Sequence, residues 1–307
     1  MRIIFMGTPD FAVPTLDALV AAGHEIICVV AQPDRPKGRG HKMVSPPTIV
    51  RARELDIPTR QPRAVRRGPF VEWMTSANAD VAVVVAYGRI LIPALLTAPK
   101  HGCINVHASL LPRYRGAAPI NWAVVRGETE TGVATMAMAE GLDTGDILLE
   151  AVTPIGDNET AGELYGRLAP LGAQLAVQTL AELTSIAPRP QDHAAHTLAP
   201  MIDRSLAEID WSQSAKDIHN LIRGFNPWPT AWTTLGEDRL KIHRSRVGVG
   251  TGVPGEVIQA TKTILVAAGS GAVELEQVQL AGRRAQPSRD LINSGRITEG
   301  MILGQES

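Results

Sequence analysis

The chain has 307 residues, 44% of them hydrophobic and 20% charged, with a net charge of −1. That length suits two domains with sizeable cores, and the balance of charge excludes a general attraction to nucleic acid or anionic membrane, so any polyanion must be met by a local basic patch. Cys28 and Cys103 lie in apolar runs and read as buried thiols of a reducing compartment, not a disulfide framework. The N-terminal MRIIFMGTPDF turns polar too early for a secretory signal, and VAVVVAYG at 81–88 is far short of a membrane span. A cytoplasmic protein is expected.

The first half alternates β-rich runs with helical patterns. RIIFMG (2–7) is a strand, and DFAVPTLDALVAAG (10–23) a helix opened by Asp10 and closed by Gly23. HEIICVVA (24–31) is the next strand and VRARELD (50–56) a helical segment. ADVAVVVAYG (79–88) is continuously apolar, as a strand buried on both faces must be. GCINVH (102–107), TGVATMAMA (131–139) and DILLEAVTPI (146–155) follow as strands, and an amphipathic helix over 160–185 closes the unit. This alternation predicts an α/β domain over 1–185 with a doubly wound, mostly parallel sheet.

Residues 186–204 begin with a Pro-, His- and Ala-rich stretch without periodicity and are read as a linker. Beyond it, after a helix at 215–225, short β-like runs (WTTL, RLKIHRSRV, GEVIQA, TILVAA, GAVELEQVQLA) separated by turns predict a small β-barrel over 205–307.

Several chemistries are disfavoured. The first strand–helix turn, GTPDFA (7–12), has one glycine where the dinucleotide fingerprint needs three, and no GxxxxGK[ST] or GxSxG motif occurs. His193 and His196 lack further metal ligands at useful spacing and read as surface residues; no metal is expected.

What remains is the segment 103–124, CINVHASLLPRYRGAAPINWAV. Cys103, Asn105 and His107 share one face of a strand, and the last two fall at its carboxyl end, where α/β sheets bind ligands. The following loop is stiffened by Pro112 and Pro119 and turned at Gly116. Arg113 and Arg115 read equally as surface charges or as a clamp for a carboxylate or phosphate. A second cluster, EGLDTGDIL (140–148), sets Asp143 between two glycines that let the backbone approach a ligand. An Asn, a His and an Asp with no nucleophilic Ser or Cys suit direct acyl transfer between two bound substrates, with Asn and His donating to an oxyanion and His and Asp handling protons.

NVHASLLPRYRGAAPI together with EGLDTGDIL resembles the signature of the folate-dependent formyltransferases, and the resemblance extends over essentially the whole chain. It implies a Rossmann-like catalytic domain, an OB-like C-terminal barrel and 10-formyltetrahydrofolate as the formyl donor. Carried over position by position, the catalytic triad is Asn105, His107 and Asp143. The folate pocket is implied to be lined by Ser109, Leu110, Leu111 and Pro112 and by Tyr87, Gly88, Arg89, Ile90 and Leu91. IIFMGTPDFA, QPDRPKGRG (32–40) and FNPWPTAW (225–232) match the branch of the family whose acceptor is the α-amine of methionine on initiator methionyl-tRNA. There the basic loop 34–42, with Arg35, Lys37, Arg39 and Lys42, is implied to grip the acceptor stem, Arg39 above all.

Residues 205–307 hold eleven Lys and Arg against eleven Asp and Glu. A positive tRNA-facing surface there would have to come from Arg239, Lys241, Arg244 and Arg246 on one strand with Arg283 and Arg284. Trp228 and Trp232 are expected to be packing anchors between helix and barrel. A monomer is expected. The alternatives are a related formyltransferase acting on a small-molecule amine, a hydrolase of formyltetrahydrofolate, and a non-enzymatic RNA-binding protein.

Overall fold

A computed structural model describes residues 1–37 and 42–305. In chain order its strands are β1 (Arg2–Gly7), β2 (Glu25–Val30), β3 (Arg35–Lys37), β4 (Lys42–Val44), β5 (Thr59–Arg60), β6 (Val81–Val85), β7 (Cys103–His107), β8 (Arg115–Gly116), β9 (Glu130–Ala137), β10 (Ile147–Pro154), β11 (Leu198–Ala199), β12 (Trp232–Leu235), β13 (Asp238–Gly248), β14 (Val257–Ala260), β15 (Ile264–Ala267), β16 (Ala272–Leu280) and β17 (Gln286–Pro287). The helices are α1 (Val13–Ala21), α2 (Pro47–Glu54), α3 (Pro69–Ser76), α4 (Pro93–Leu96), α5 (Pro119–Val125), α6 (Ala161–Ala181), α7 (Ala215–Gly224) and α8 (Arg289–Asn293). Two compact units divide the chain: Met1–Pro119, Thr131–Thr153 and Tyr165–Ala199 form the first, and Ile120–Glu130, Pro154–Leu164 and Pro200–Ser307 the second.

The first unit is built on a seven-stranded sheet of order β10-β9-β7-β6-β1-β2-β5. Strands β5, β2, β1, β6 and β7 run parallel, and β9 runs antiparallel to β7. Every residue of β6 and β7 is buried, which is why both read as unbroken apolar runs. The sequence pattern carries the β6 run to Gly88, but the strand stops at Val85. Ala86 and Gly88 take left-handed conformations (φ 47° and 75°) that turn the chain away at the carboxyl edge of the sheet. The helix expected from residue 10 begins at Val13 with Pro14 in its first turn, after a 3-10 turn over Asp10–Ala12. Helices α3 and α4 have no counterpart in the sequence reading.

The stretch 186–199, aperiodic in sequence, belongs to the first unit. β11 pairs in parallel with β8, and Gln191 is buried. Among the described residues no helix is long and apolar enough to cross a membrane.

The second unit carries an antiparallel sheet of order β12-β13-β16-β15-β14, with β17 on β16, curled as a half-barrel. Ile218 and Ile222 of α7 enter its core beside Leu240, Ile242, Val266 and Val278. Ser214 caps α7 by accepting from the Asp217 amide at 3.1 Å. Trp228 departs from its expected role as an anchor: it is 52% exposed, and the buried aromatic of that segment is Phe225. Proline on either side of Trp228 sends the chain out to solvent there. Trp232 is half-buried, with the Arg239 guanidinium 3.8 Å from its ring centroid.

Candidate active site

Strand β7 lies beside β6 with Asn105 in register with Val84, so the ends of β1, β6 and β7 share the carboxyl edge of the parallel sheet. Asn105 and His107 are 9% and 6% exposed, deep enough for hydrogen bonds to act at low dielectric. Asp143 reaches them from the loop between β9 and β10. The Asn105 Nδ2 is 3.4 Å from Asp143 Oδ1, and His107 Nδ1 is 3.8 Å from Asp143 Oδ2. The second distance is too long for a hydrogen bond but keeps the ring and the carboxylate in close proximity. The three residues singled out from sequence therefore meet.

Two further contacts fix their orientation. His107 Nε2 lies 3.0 Å from the Tyr114 carbonyl oxygen, which only accepts, so Nε2 carries the hydrogen and Nδ1 is left facing Asp143. The Gly116 amide donates to Asp143 Oδ2 at 2.9 Å. Gly116 has φ 124°, and a Cβ there would lie 2.7 Å from the Ala199 carbonyl oxygen, so the β8–β11 pairing requires glycine. Cys103, on the same face of β7, is no nucleophile: burial pushes its thiol up to about 12, and Sγ donates to the Leu95 carbonyl.

Arg115 is buried and committed internally. Its Nε and Nη2 donate to Gln191 Oε1 at 3.0 and 2.6 Å, and Nη2 also lies 3.1 Å from His193 Nδ1. This resolves the two readings of Arg115: it is neither a surface charge nor free to clamp a ligand. Arg113 is exposed, with its guanidinium 5.3 Å from the Tyr114 ring centroid. His196 Nδ1 lies 2.8 Å from the His193 carbonyl, so each histidine of that pair has one ring nitrogen engaged within the protein.

The remaining candidates divide by environment. Gly88, Arg89 and Ile90 are exposed just past β6, with Ile90 at 59%, whereas Tyr87 and Leu91 are buried. Burial pushes the Tyr87 phenol up to about 12. Past β7, Ser109 donates to the Arg113 carbonyl at 2.7 Å, and Leu111 packs with Ala134, Met136 and Ile147. Leu110 is half-buried, as is Pro112, which follows a cis peptide bond.

A cavity of about 360 Å³ opens beside Thr8, Gln32, Arg35, Val44, Tyr87 and Gly88, with the triad outside its lining. Of the basic loop, Arg39 lies outside the described residues. Lys42 is exposed on β4, which pairs with the segment from Arg35 to Lys37. The Arg35 guanidinium donates to Gln32 Oε1 at 2.8 Å, and Gln32 Nε2 donates in turn to the carbonyls of Tyr87 and Gly88 at 3.1 and 2.9 Å. Gln32 and Gln191 both organise this region and neither was found from sequence. Gln32 was overlooked among the charges of its own motif, and Gln191 stands in a stretch without periodicity.

The formyl transferase family model matches residues 1–180, and that of the formyl transferase C-terminal domain matches 201–296. A methionyl-tRNA formyltransferase from Roseobacter denitrificans is 48% identical over 307 residues, covering all of both chains. One from Geobacter metallireducens is also 48% identical, over 99% of each chain. Among solved structures, an N-formyltransferase from Helicobacter canadensis, in complex with folinic acid and dTDP-3-aminofucose, superposes with a TM-score of 0.68 at 17% identity, over 90% of this chain and 98% of that one. HypX from Aquifex aeolicus in complex with tetrahydrofolic acid gives 0.62 at 17% identity, over 96% of this chain and 47% of that one. The chain is matched in both halves and shares nearly half its positions, end to end, with its full-length relatives, and it belongs to the methionyl-tRNA formyltransferase family.

Proposed function

We propose that this protein transfers the formyl group of 10-formyltetrahydrofolate to the α-amine of methionine esterified to initiator tRNA, in the cytoplasm, for translation initiation. The observation that carries the reading is the buried meeting of Asn105, His107 and Asp143 at the carboxyl edge of the sheet. An amide donor, an imidazole and a carboxylate without a nucleophile suit transfer between two bound substrates. The full-length likeness to methionyl-tRNA formyltransferases favours this acceptor over the sugar amines of the fold's other members.

The residues present fit a folate. Exposed Ile90 offers an apolar face beside Arg89, just past the left-handed turn of Ala86 and Gly88 at the strand end. Ser109 and Leu111 are committed to internal contacts, so they shape this wall through the backbone, with Leu110, Pro112, Tyr87 and Leu91 beside them. The bound folate supplies a formyl group on a nitrogen able to leave.

As the amine nitrogen bonds to the formyl carbon, Asn105 Nδ2 donates to the oxygen on which charge collects. His107 has Nε2–H committed to Tyr114, so Nδ1 is its reacting nitrogen and provides the second donor once protonated. Asp143 steadies the charged ring and takes part in moving the proton lost by the amine to the folate nitrogen whose bond to the formyl carbon breaks. Arg35, Lys37, Arg39 and Lys42 grip phosphates of the acceptor end, and the 205–307 domain supplies further tRNA contacts.

In that domain Arg244 is ion-paired with Glu163 and Arg246 with Glu276. Arg239, stacked on Trp232, and half-buried Lys241 are the strand's two other cations and further candidates for phosphate contact. The test is formyl transfer to purified initiator methionyl-tRNA by the wild type and by His107→Ala. Turnover abolished in the variant supports the reading. Wild-type transfer to an amino-sugar nucleotide or to water in place of tRNA would move the protein to another acceptor class.

A further inference from the structure

We infer that Gln191 is a positioning residue for the reaction, acting through Asp143; the inference rests on the catalytic reading of Asp143 given above. Gln191 is 5% exposed and uses both ends of its amide. Its Nε2 donates to the carbonyl oxygens of Asp143 and Gly145 at 2.9 and 2.6 Å. Its Oε1 accepts from Arg115 Nε and Nη2. Asp143 needs such support because it is a non-glycine residue at φ 51°, a conformation that costs energy unless its surroundings hold it. The neighbouring turn is equally constrained: a Cβ on Gly145 would fall 1.7 Å from the Ala137 carbonyl oxygen.

The contacts form a closed circuit. Gln191 holds the Asp143 main chain from one side, and the Gly116 amide holds its carboxylate from the other. Arg115, adjacent to Gly116, donates to Gln191, so both grips on Asp143 trace to one short strand. The carboxylate is thereby fixed opposite Asn105 and His107 along a line that no direct bond to His107 maintains. A shift of about 1 Å in a reacting group can lower the rate about a hundredfold, and the Gln191 circuit is what prevents that shift.

Two substitutions separate positioning from packing. Gln191→Glu keeps an acceptor for Arg115 and loses the donor to the two carbonyls. Gln191→Met is neutral, nearly isosteric, and loses both. With Asp143→Asn measured alongside, kcat and the KM for each substrate are determined with folate donor and initiator methionyl-tRNA.

The expected result is a fall in kcat of roughly ten- to a hundredfold in both Gln191 variants, with each KM within about threefold of wild type and the folded state retained by Gln191→Glu. Full kcat in Gln191→Glu, whether or not Gln191→Met folds, overturns the inference, because satisfying Arg115 would then be all that matters. So does a rise in KM with kcat unchanged. If Asp143→Asn itself keeps wild-type turnover, the catalytic reading fails, and that outcome is distinct from loss of activity in Asp143→Asn with normal Gln191 variants.

Discussion

His107 and Tyr114 are joined by a 3.0 Å hydrogen bond from the imidazole Nε2 to the backbone carbonyl. Tyr114 presents that carbonyl from a left-handed conformation, φ 61°, and its own amide donates to Thr197 Oγ1 at 2.9 Å. A carbonyl has no hydrogen to give, so this contact selects one tautomer of the neutral ring. Nitrogen NMR of the histidine-labelled protein is expected to show neutral His107 as the Nε2–H form. A dominant Nδ1–H form would leave Nε2 with no hydrogen for the Tyr114 carbonyl and Nδ1 with no lone pair to accept a proton, and would break the proposed proton path.

Asn105 supplies the simpler test of oxyanion stabilisation. Removing one such donor costs about a hundred- to a thousandfold in turnover, so Asn105→Ala is expected to lose that much kcat while binding tRNA with near wild-type affinity. Near-normal turnover would exclude Asn105 from the oxyanion site. The substitution also removes the 3.4 Å hydrogen bond to Asp143, so thermal unfolding of the variant serves as a control for displacement of the loop.

How much of this could be seen beforehand depends on whether the signal was local. Asn105 and His107 were legible because a fully buried strand leaves a polar residue on its face conspicuous. Asp143, 38 positions on, is marked by its glycine-flanked loop and by the family motif, but its contact with Asn105 depends on β9 folding back antiparallel against β7, which no residue in either strand encodes. Gln191 was illegible for a related reason: its partners at 115, 143 and 145 are all distant in sequence, and a single glutamine in a Pro- and Ala-rich stretch has no periodicity to mark it. Trp228 is the opposite case: its size predicts an anchor, and flanking prolines turn it outward.

The two cations flanking the basic loop are expected to behave differently. Lys42 is exposed on β4, so Lys42→Ala should weaken tRNA binding and leave the folate KM unchanged. The salt slope of log Kd should fall by about one unit for each phosphate that the variant no longer neutralises. Arg35 is bonded through Gln32 to the carbonyls of Tyr87 and Gly88, so Arg35→Ala should raise the folate KM as well. Steady-state kinetics with each substrate varied in turn separates the two. Equal effects on folate from both variants would mean that the Gln32 bridge transmits nothing.

His219 gives the second unit a dependence of stability on pH. Its ring is buried on α7, with Nδ1 3.0 Å from Ser245 Oγ and Nε2 3.0 Å from the Asp157 carbonyl. Burial holds its pKa below the ordinary 6.5, the nearby Arg223 lowers it further, and the Asp157 carbonyl, Glu276 and the Asp157 carboxylate only partly oppose this. Above 6.5 the ring is neutral in folded and unfolded chains alike. As pH falls through 6.5 the unfolded chain takes up a proton that the folded one refuses, so stability declines until the folded-state pKa is passed. Carboxylates held below their ordinary value, such as Asp210, lose their contribution only at more acid pH, below about 3.8. His219→Gln is expected to be less stable than wild type at about pH 8, by about 1–3 kcal/mol for the disrupted buried bonds. That deficit should narrow as pH drops from about 7 toward 5, because the variant has no ring to titrate. His24, also held low by burial, titrates in both proteins and cancels from the difference. Thermal unfolding across this range measures the deficit directly, and a deficit that stays constant or widens on acidification would show that His219 is not kept neutral by the fold.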